Sequence, residues 1–287
     1  MRLGNHEKKK KTSIKRVLGS SAALNLMYLP VVVLFILFLV YPFIKGVQFS
    51  FTNWDGYSQT YKFIGLKNYR RMFTDHDMLT VIRNTIIYGC GSTVFQNIFG
   101  LLFAMLLRKS SRLNALARTL IYLPAIVSSL IMGYIWYFIL ELNGGALNDV
   151  ILLFNGTAVN ALANSNASVW ILTGINSFQF VGVSMIIYLA GLKNIPPEYM
   201  EAAAIDGASP MQIFRNVTLP MLAPSITVAV VLNLIGGLKL YDVIIALTGG
   251  GPGYATCPLS TRMSQLFLGG GEAGPPRGPG GGCWGWS

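Results

Sequence analysis

An all-α bundle that crosses a membrane several times is the fold class this sequence predicts, and three observations predict it. Hydrophobic residues make up 53% of the 287-residue chain, and the mean hydropathy is +0.52. Charged residues make up only 11%, against about 25% in soluble globular domains. Five windows, residues 17–44, 84–107, 119–140, 169–192 and 219–238, contain no Asp, Glu, Lys or Arg. Each has the roughly 20 residues that a helix needs to cross the hydrocarbon layer. Isolated apolar runs satisfy their backbone polar groups in lipid only as helices. Five spans surrounded by membrane lipid are therefore expected.

The orientation follows from the basic residues. Seven of the 22 stand in residues 1–16, as Arg2, Lys8, Lys9, Lys10, Lys11, Lys15 and Arg16. The net charge of +11 is then explained by cytoplasmic retention of the N-terminus under the positive-inside rule, and no nucleic-acid partner is expected. The run 17–44 is too long for a secretory-signal core, and no small-residue cleavage pattern follows Tyr41-Pro42, so it reads as an uncleaved first span. The connection 108–118, with Arg108, Lys109, Arg112 and Arg118, falls inside, whereas 141–168 has no Lys or Arg and falls outside. Residues 45–83, placed outside, run against the rule with six basic residues against Asp55, Asp75 and Asp77. The first span is taken to dominate. Cys90, Cys257 and Cys283 show no metal or disulfide spacing.

Along the chain, Tyr69, Met72 and Phe73 fall at helical spacing beside Arg70 and Arg71, which predicts a short interfacial helix. Pro30, Pro124 and Pro224 lie in or near spans, where packed neighbours tolerate kinks. Gly100 and Ala104 form a small-xxx-small face for close helix contact. In 141–168, Asn143-Gly144-Gly145 signals a turn, and Leu147, Val150, Ile151 and Phe154 predict a short amphipathic helix.

The segment 194–218 is the polar connection between the fourth and fifth spans. Pro196-Pro197 stops one helix and starts another, since proline suits a first turn. Glu198 and Glu201 stand near its N-terminus, where carboxylates are favoured. Asp206-Gly207 closes it, and Ser209-Pro210 caps and starts the next. A helix, tight turn, helix unit results. Ala202, Ala203 and Ala204 leave room for another backbone to approach, Glu201 offers a carboxylate, and Met200 and Ile205 offer apolar grip.

The register Glu201-Ala202-Ala203, then Gly207, then Val217, Leu219 and Pro220 resembles the coupling loop of the membrane subunits of binding-protein-dependent ABC importers. Val217 stands where isoleucine is commoner. The wording Gly65-Leu66-Lys67-Asn68-Tyr69, the pair Asn84-Thr85, Tyr241-Asp242 and the turn Leu247-Thr248-Gly249-Gly250-Gly251-Pro252-Gly253 are similar to the sugar-permease branch of that family. The resemblance runs to about Thr256. It implies a permease domain over 17–248 that alternates between outward- and inward-open states. Its partners would be ATP-binding cassette ATPase subunits, a second permease subunit and an extracytoplasmic solute-binding protein, in the inner membrane of a bacterial cell. The residues meeting the ATPase would be Glu201, Ala202, Ala203, Asp206, Gly207, Val217, Leu219 and Pro220.

The middle of the fourth and fifth spans would, by the same resemblance, line the solute path. Asn176, Gln179, Phe180 and Ser184, with Gly237 and Lys239 later, are the candidates. Neutral amides, hydroxyls and aromatic faces suit a sugar or polyol, although each group also suits a helix–helix hydrogen bond. No Gly-x-x-x-x-Gly-Lys-[Ser/Thr] cradle occurs, and the turn 249–253 lacks the lysine. ATP would therefore be bound by a partner subunit, and the chain has no cofactor of its own. A secondary, ion-coupled carrier would need buried ionisable groups in its spans; a membrane enzyme would need clustered His, Asp, Glu or Cys. His6 and His76 both lie in polar segments.

Residues 249–287 comprise a glycine-rich external turn and a Gly/Pro-rich tail from Gly269 onward. That tail is of the kind a shifted reading frame in GC-rich DNA produces. The expectation is five spans, with a sixth lost.

Overall fold

The computed structural model describes residues 28–54, 56, 58–154 and 156–268. Their regular structure is helical apart from one isolated antiparallel bridge between Thr52 and Phe63. The basic residues 1–16, the first part of the first apolar window and the tail from Gly269 lie outside the described residues. Two compact units divide between Met72 and Phe73.

The first unit contains α1, Tyr28–Ser50, and a turn folded back on its end. Asn68 Nδ2 donates to Ser50 O at 2.9 Å and to Thr52 O at 2.8 Å. The Tyr69 hydroxyl lies 2.8 Å from Ser50 Oγ. The Gly65–Tyr69 wording thus closes a turn, and α2, Lys67–Thr74, begins within it as the helical spacing predicts.

The second unit holds ten helices among its described residues. They are α3 (His76–Leu106), α4 (Arg112–Ile126), α5 (Ser129–Leu140), α6 (Ala146–Leu153), α7 (Ser165–Lys193), α8 (Pro197–Ile205), α9 (Pro210–Met221), α10 (Ala223–Leu238), α11 (Asp242–Leu247) and α12 (Leu259–Leu268). Side-chain caps start several of them: Asp75 accepts from Asp77 N, Ser111 from Asn114 N and Asn164 from Asn166 N. The short helix expected after Asn143-Gly144-Gly145 is α6.

Helix α7 is the axis of this unit. Its buried residues face α3, α4, α5 and α10 in turn. A Cβ added to Gly100 of α3 would stand 2.6 Å from Ser184 Cβ, so these two helices touch at a point only glycine permits. On the other side, Asn233 Nδ2 of α10 donates to Ser184 Oγ at 2.8 Å.

Two of the five expected spans are not straight. The window 119–140 breaks between α4 and α5 with a bend of 98°, and 219–238 breaks between α9 and α10 with a bend of 68°. Pro124 removes a donor from the last turn of α4, and Val127 and Ser128 are extended, at ψ 138° and 136°. The carbonyl of Val127 is then free, and Gln179 Nε2 of α7 caps it at 3.0 Å. Pro220 and Pro224 flank Leu222 in the second break and remove two donors within one turn. Three helices, α1, α3 and α7, are long and apolar enough to cross a membrane, or five spans if each bent pair counts as one, among the described residues.

At the N-terminal end of α3, the glycine-rich turn after α11 is compact as expected. Gly249, Gly250, Gly251 and Gly253 have φ between +58° and +99°, a region open to glycine. Asn84 Nδ2 donates to Ala255 O at 2.9 Å, and Leu259 N donates to Thr85 Oγ1 at 2.8 Å. Burial pushes the Cys257 thiol in this turn up to about 11, with Arg262 opposing the shift.

Candidate functional site

The polar connection after α7 is built as its caps dictate. Pro196 is extended (ψ 133°), and Pro197 occupies the first turn of α8. At the other end, Gly207 N donates to Ala204 O at 3.1 Å and Ala208 N to Ala203 O at 3.0 Å. With Gly207 at φ +78°, this is a Schellman closure. Two residues later a capping box starts α9: Ser209 N donates to Gln212 Oε1 at 2.7 Å, and Gln212 N to Ser209 Oγ at 3.4 Å. A widened π-turn, Phe214–Thr218, carries α9 into Leu219 and Pro220.

This unit has an anchored face and an open one. Glu201, Ala202, Asp206, Gly207 and Pro220 are exposed; Ala203, Val217 and Leu219 are half-buried. Ile205 is 86% exposed, on the open side of α8. Met200, expected to grip a partner, instead turns inward. It packs with buried Ile195 on a cluster of Ala104, Met185, Tyr188, Leu189, Leu192, Leu222 and Ala229. Arg108 Nη1 reaches Met200 Sδ at 3.5 Å, so the 108–118 connection lies at the same end as α8. The physical reason is spacing: Met200 and Ile205 are five residues apart, about 140° out of phase on a helix.

Most of the solute-path candidates are engaged in contacts between helices. Asn176 is buried: its Nδ2 donates to Ser92 Oγ at 3.0 Å, and its carbonyl accepts from Gln96 Nε2 at 3.2 Å. Gln179 is fully buried and donates to Val127 O at 3.0 Å and Ser129 Oγ at 3.4 Å; its Oε1 has no partner among the described residues. Ser184 accepts from Asn233. A Cβ on Gly237 would meet Tyr88 O at 2.8 Å and Gly89 Cα at 2.9 Å, which makes it a backbone crossing point between α10 and α3. Phe180 is half-buried and Lys239 exposed. Four of the six are therefore engaged between helices.

Sequence reasoning missed the partners on α3. Ser92, Thr93, Gln96 and Asn97 interrupt an apolar run at i, i+1, i+4 and i+5, one face of a helix, and that spacing was the available signal. Gly182 was also missed: its added Cβ would stand 2.5 Å from Ile121 O.

With this geometry in place, the chain compares clearly with known proteins. The family described as "Binding-protein-dependent transport system inner membrane component" matches residues 96–270, past Thr256, where the sequence resemblance was expected to stop. The probable starch degradation products transport system permease protein AmyD of Thermoanaerobacterium thermosulfurigenes is 35% identical over 82% of this chain and 80% of its own length. The multiple sugar-binding transport system permease protein MsmF of Streptococcus mutans is 33% identical, over 86% and 84% respectively. Among solved structures, a bacterial alginate ABC transporter in complex with an alginate pentasaccharide-bound periplasmic protein matches with a TM-score of 0.73 at 26% identity, covering 89% of this chain and 86% of that one.

Proposed function

We propose that this chain, which belongs to the family of binding-protein-dependent transport system inner membrane components, is the membrane subunit of an ATP-driven sugar importer and takes its drive through α8. One observation carries this reading: α8 is open to water on the side of Glu201, Ala202 and Ile205, while Ile195 and Met200 root it in the cluster that joins α3, α7 and α10. Displacement of the open face is therefore delivered to three packed helices at once. Interiors this dense pass strain on rather than absorb it.

ATP is bound and hydrolysed by separate ATPase subunits; the chain has no phosphate-cradling Gly-Lys-[Ser/Thr] loop of its own. A second permease subunit completes the path, and a solute-binding protein delivers substrate at the opposite end. Relatives named for starch degradation products and multiple sugars support a sugar as the solute. Arg108, Lys109, Arg112 and Arg118 share the end that holds α8, which supports a cytosolic position for that end. An ion-coupled carrier has no comparable support.

The test is Glu201→Lys in proteoliposomes of the assembled transporter. ATP hydrolysis should persist, while uptake of labelled maltooligosaccharides falls by about 30-fold or more, the cost of reversing one interfacial charge. Membrane insertion should be unchanged. Full uptake by this variant would overturn the assignment of α8.

A further inference from the structure

The four basic residues of the 108–118 connection are equivalent under a topological charge rule, but the fold separates them. Lys109 and Arg112 are exposed. Arg118, on α4, turns back to the end of α3: its Nε donates to Leu107 O at 3.1 Å, its Nη2 also reaches Leu107 O, and Nη2 donates to Lys109 O at 3.0 Å. Asn114 Nδ2 adds a bond to Lys109 O at 2.9 Å. Leu107 closes α3, so its carbonyl belongs to the set a helix leaves unpaired at its C-terminus, while Lys109 O lies two residues beyond, in the connection. A guanidinium suits them on two grounds, since its charge complements the negative end of the helix and its planar fork fixes direction.

The capped turn is also where α8 bears on the bundle. The Leu107 side chain packs on the cluster that holds Ala104, Leu192 and Ile195, and Met200 packs on the same cluster. Arg108, the next residue, contacts Met200 Sδ. A push on α8 therefore arrives at the last turn of α3. Ile121 of α4 packs on the same cluster, and Arg118 adds a direct tie between α4 and that turn, without which the short connection between them is left to give way.

We propose that Arg118 is a positioning residue for coupling: it ties α3 to α4, so that displacement of α8 moves both helices instead of deforming the connection 107–111. Arg118 touches neither nucleotide nor solute. This inference rests on α8 being the drive element, and the experiment separates the two.

Hydrogen–deuterium exchange is measured on the assembled transporter in proteoliposomes, nucleotide-free and trapped with MgATP and vanadate, for the wild type, Arg118→Ala, Arg118→Lys and Glu201→Lys. The wild type should show nucleotide-dependent changes at residues 197–205 and again at 112–122. In Arg118→Ala the change at 197–205 should remain, while that at 112–122 shrinks about fivefold, within the range by which single residues alter coupling between sites. ATP hydrolysis should stay within about twofold of the wild type, inside the additive error of an uninvolved site. Arg118→Lys, with one compact donor group, should fall between the two. A wild-type response at 112–122 in Arg118→Ala overturns the proposal, as does loss of the responses at 197–205 and 112–122 together, which would make Arg118 a docking residue. If Arg118→Ala is not recovered from membranes, a full wild-type response in Arg118→Lys overturns it and a reduced one supports it. No response at 197–205 in the wild type, or an undiminished one in Glu201→Lys, defeats the assignment of α8 itself.

Discussion

The connection formed by α8 and α9 and the buried polar seam along α7 draw on similar small and polar residues, and the fold uses them in opposite ways. In the connection, Glu201, Asp206 and Ser209 are exposed, and the hydrogen bonds that cap its helices join residues at most five apart. In the seam, Asn176, Gln179 and Ser184 are buried, and their side chains bond across 84, 52 and 49 residues of sequence. The first region takes its shape from local caps, is anchored on one side by Ile195 and Met200, and presents a surface on the other. The second is a set of clasps between helices, and a buried clasp has few of its polar atoms left for a passing solute. Rigidity on the surface and rigidity in the seam thus have different origins, local capping in one case and tertiary packing in the other.

If that difference is real, substitutions in the two regions must fail differently. The largest effect is expected at Gly182→Leu, where even a Cβ would sit 2.5 Å from Ile121 O. Overpacking of this kind costs about 3 kcal/mol, and it should appear as a sharp loss of melting temperature in detergent, together with loss of assembly. An unchanged melting curve would mean that α4 and α7 are not packed as described.

Next comes Gln179→Leu, which removes the donor to Val127 O at the break between α4 and α5. Leaving a buried acceptor unpaired costs about 2 kcal/mol, again read in thermal unfolding. A variant with wild-type stability but altered solute preference would instead move Gln179 from the seam to the transport path, and so redraw the comparison.

The smallest effect belongs to the connection. Gly207→Ala forces a side chain into a left-handed conformation, φ +78°, with nothing within 4 Å to clash. The cost is about 1 kcal/mol and should stay local. Amide exchange at residues 203–208 should quicken while the global melting temperature holds. A global shift would show that the turn at Gly207 is not the local closure its hydrogen bonds describe.

Much of this architecture was legible beforehand, for identifiable reasons. The bounds of α8 and the start of α9 followed from Pro196-Pro197, Asp206-Gly207 and Ser209-Pro210 because a cap is decided by residues next to each other. The location of five apolar windows held, yet two of them bend by 98° and 68°. Pro124 and Pro224 were seen as places where a kink is tolerated, but the residue that makes the first bend affordable is Gln179, half a hundred positions away. The same remoteness misled the reading of Met200, whose inward turn depends on a groove formed by Ala104, Leu192 and Leu222.

By itself, then, the chain determined that it spans a membrane, where the caps of its polar connection fall, and that a stiff polar unit stands between the fourth and fifth of its apolar windows. Those properties depend on hydropathy and on neighbours a few residues apart, which every copy of the sequence carries. Which face of α8 is anchored, which amides serve as clasps, and that Arg118 reaches back to Leu107 were decided only when distant helices met. Polar side chains in an apolar helix have several possible partners, and packing alone selects among them.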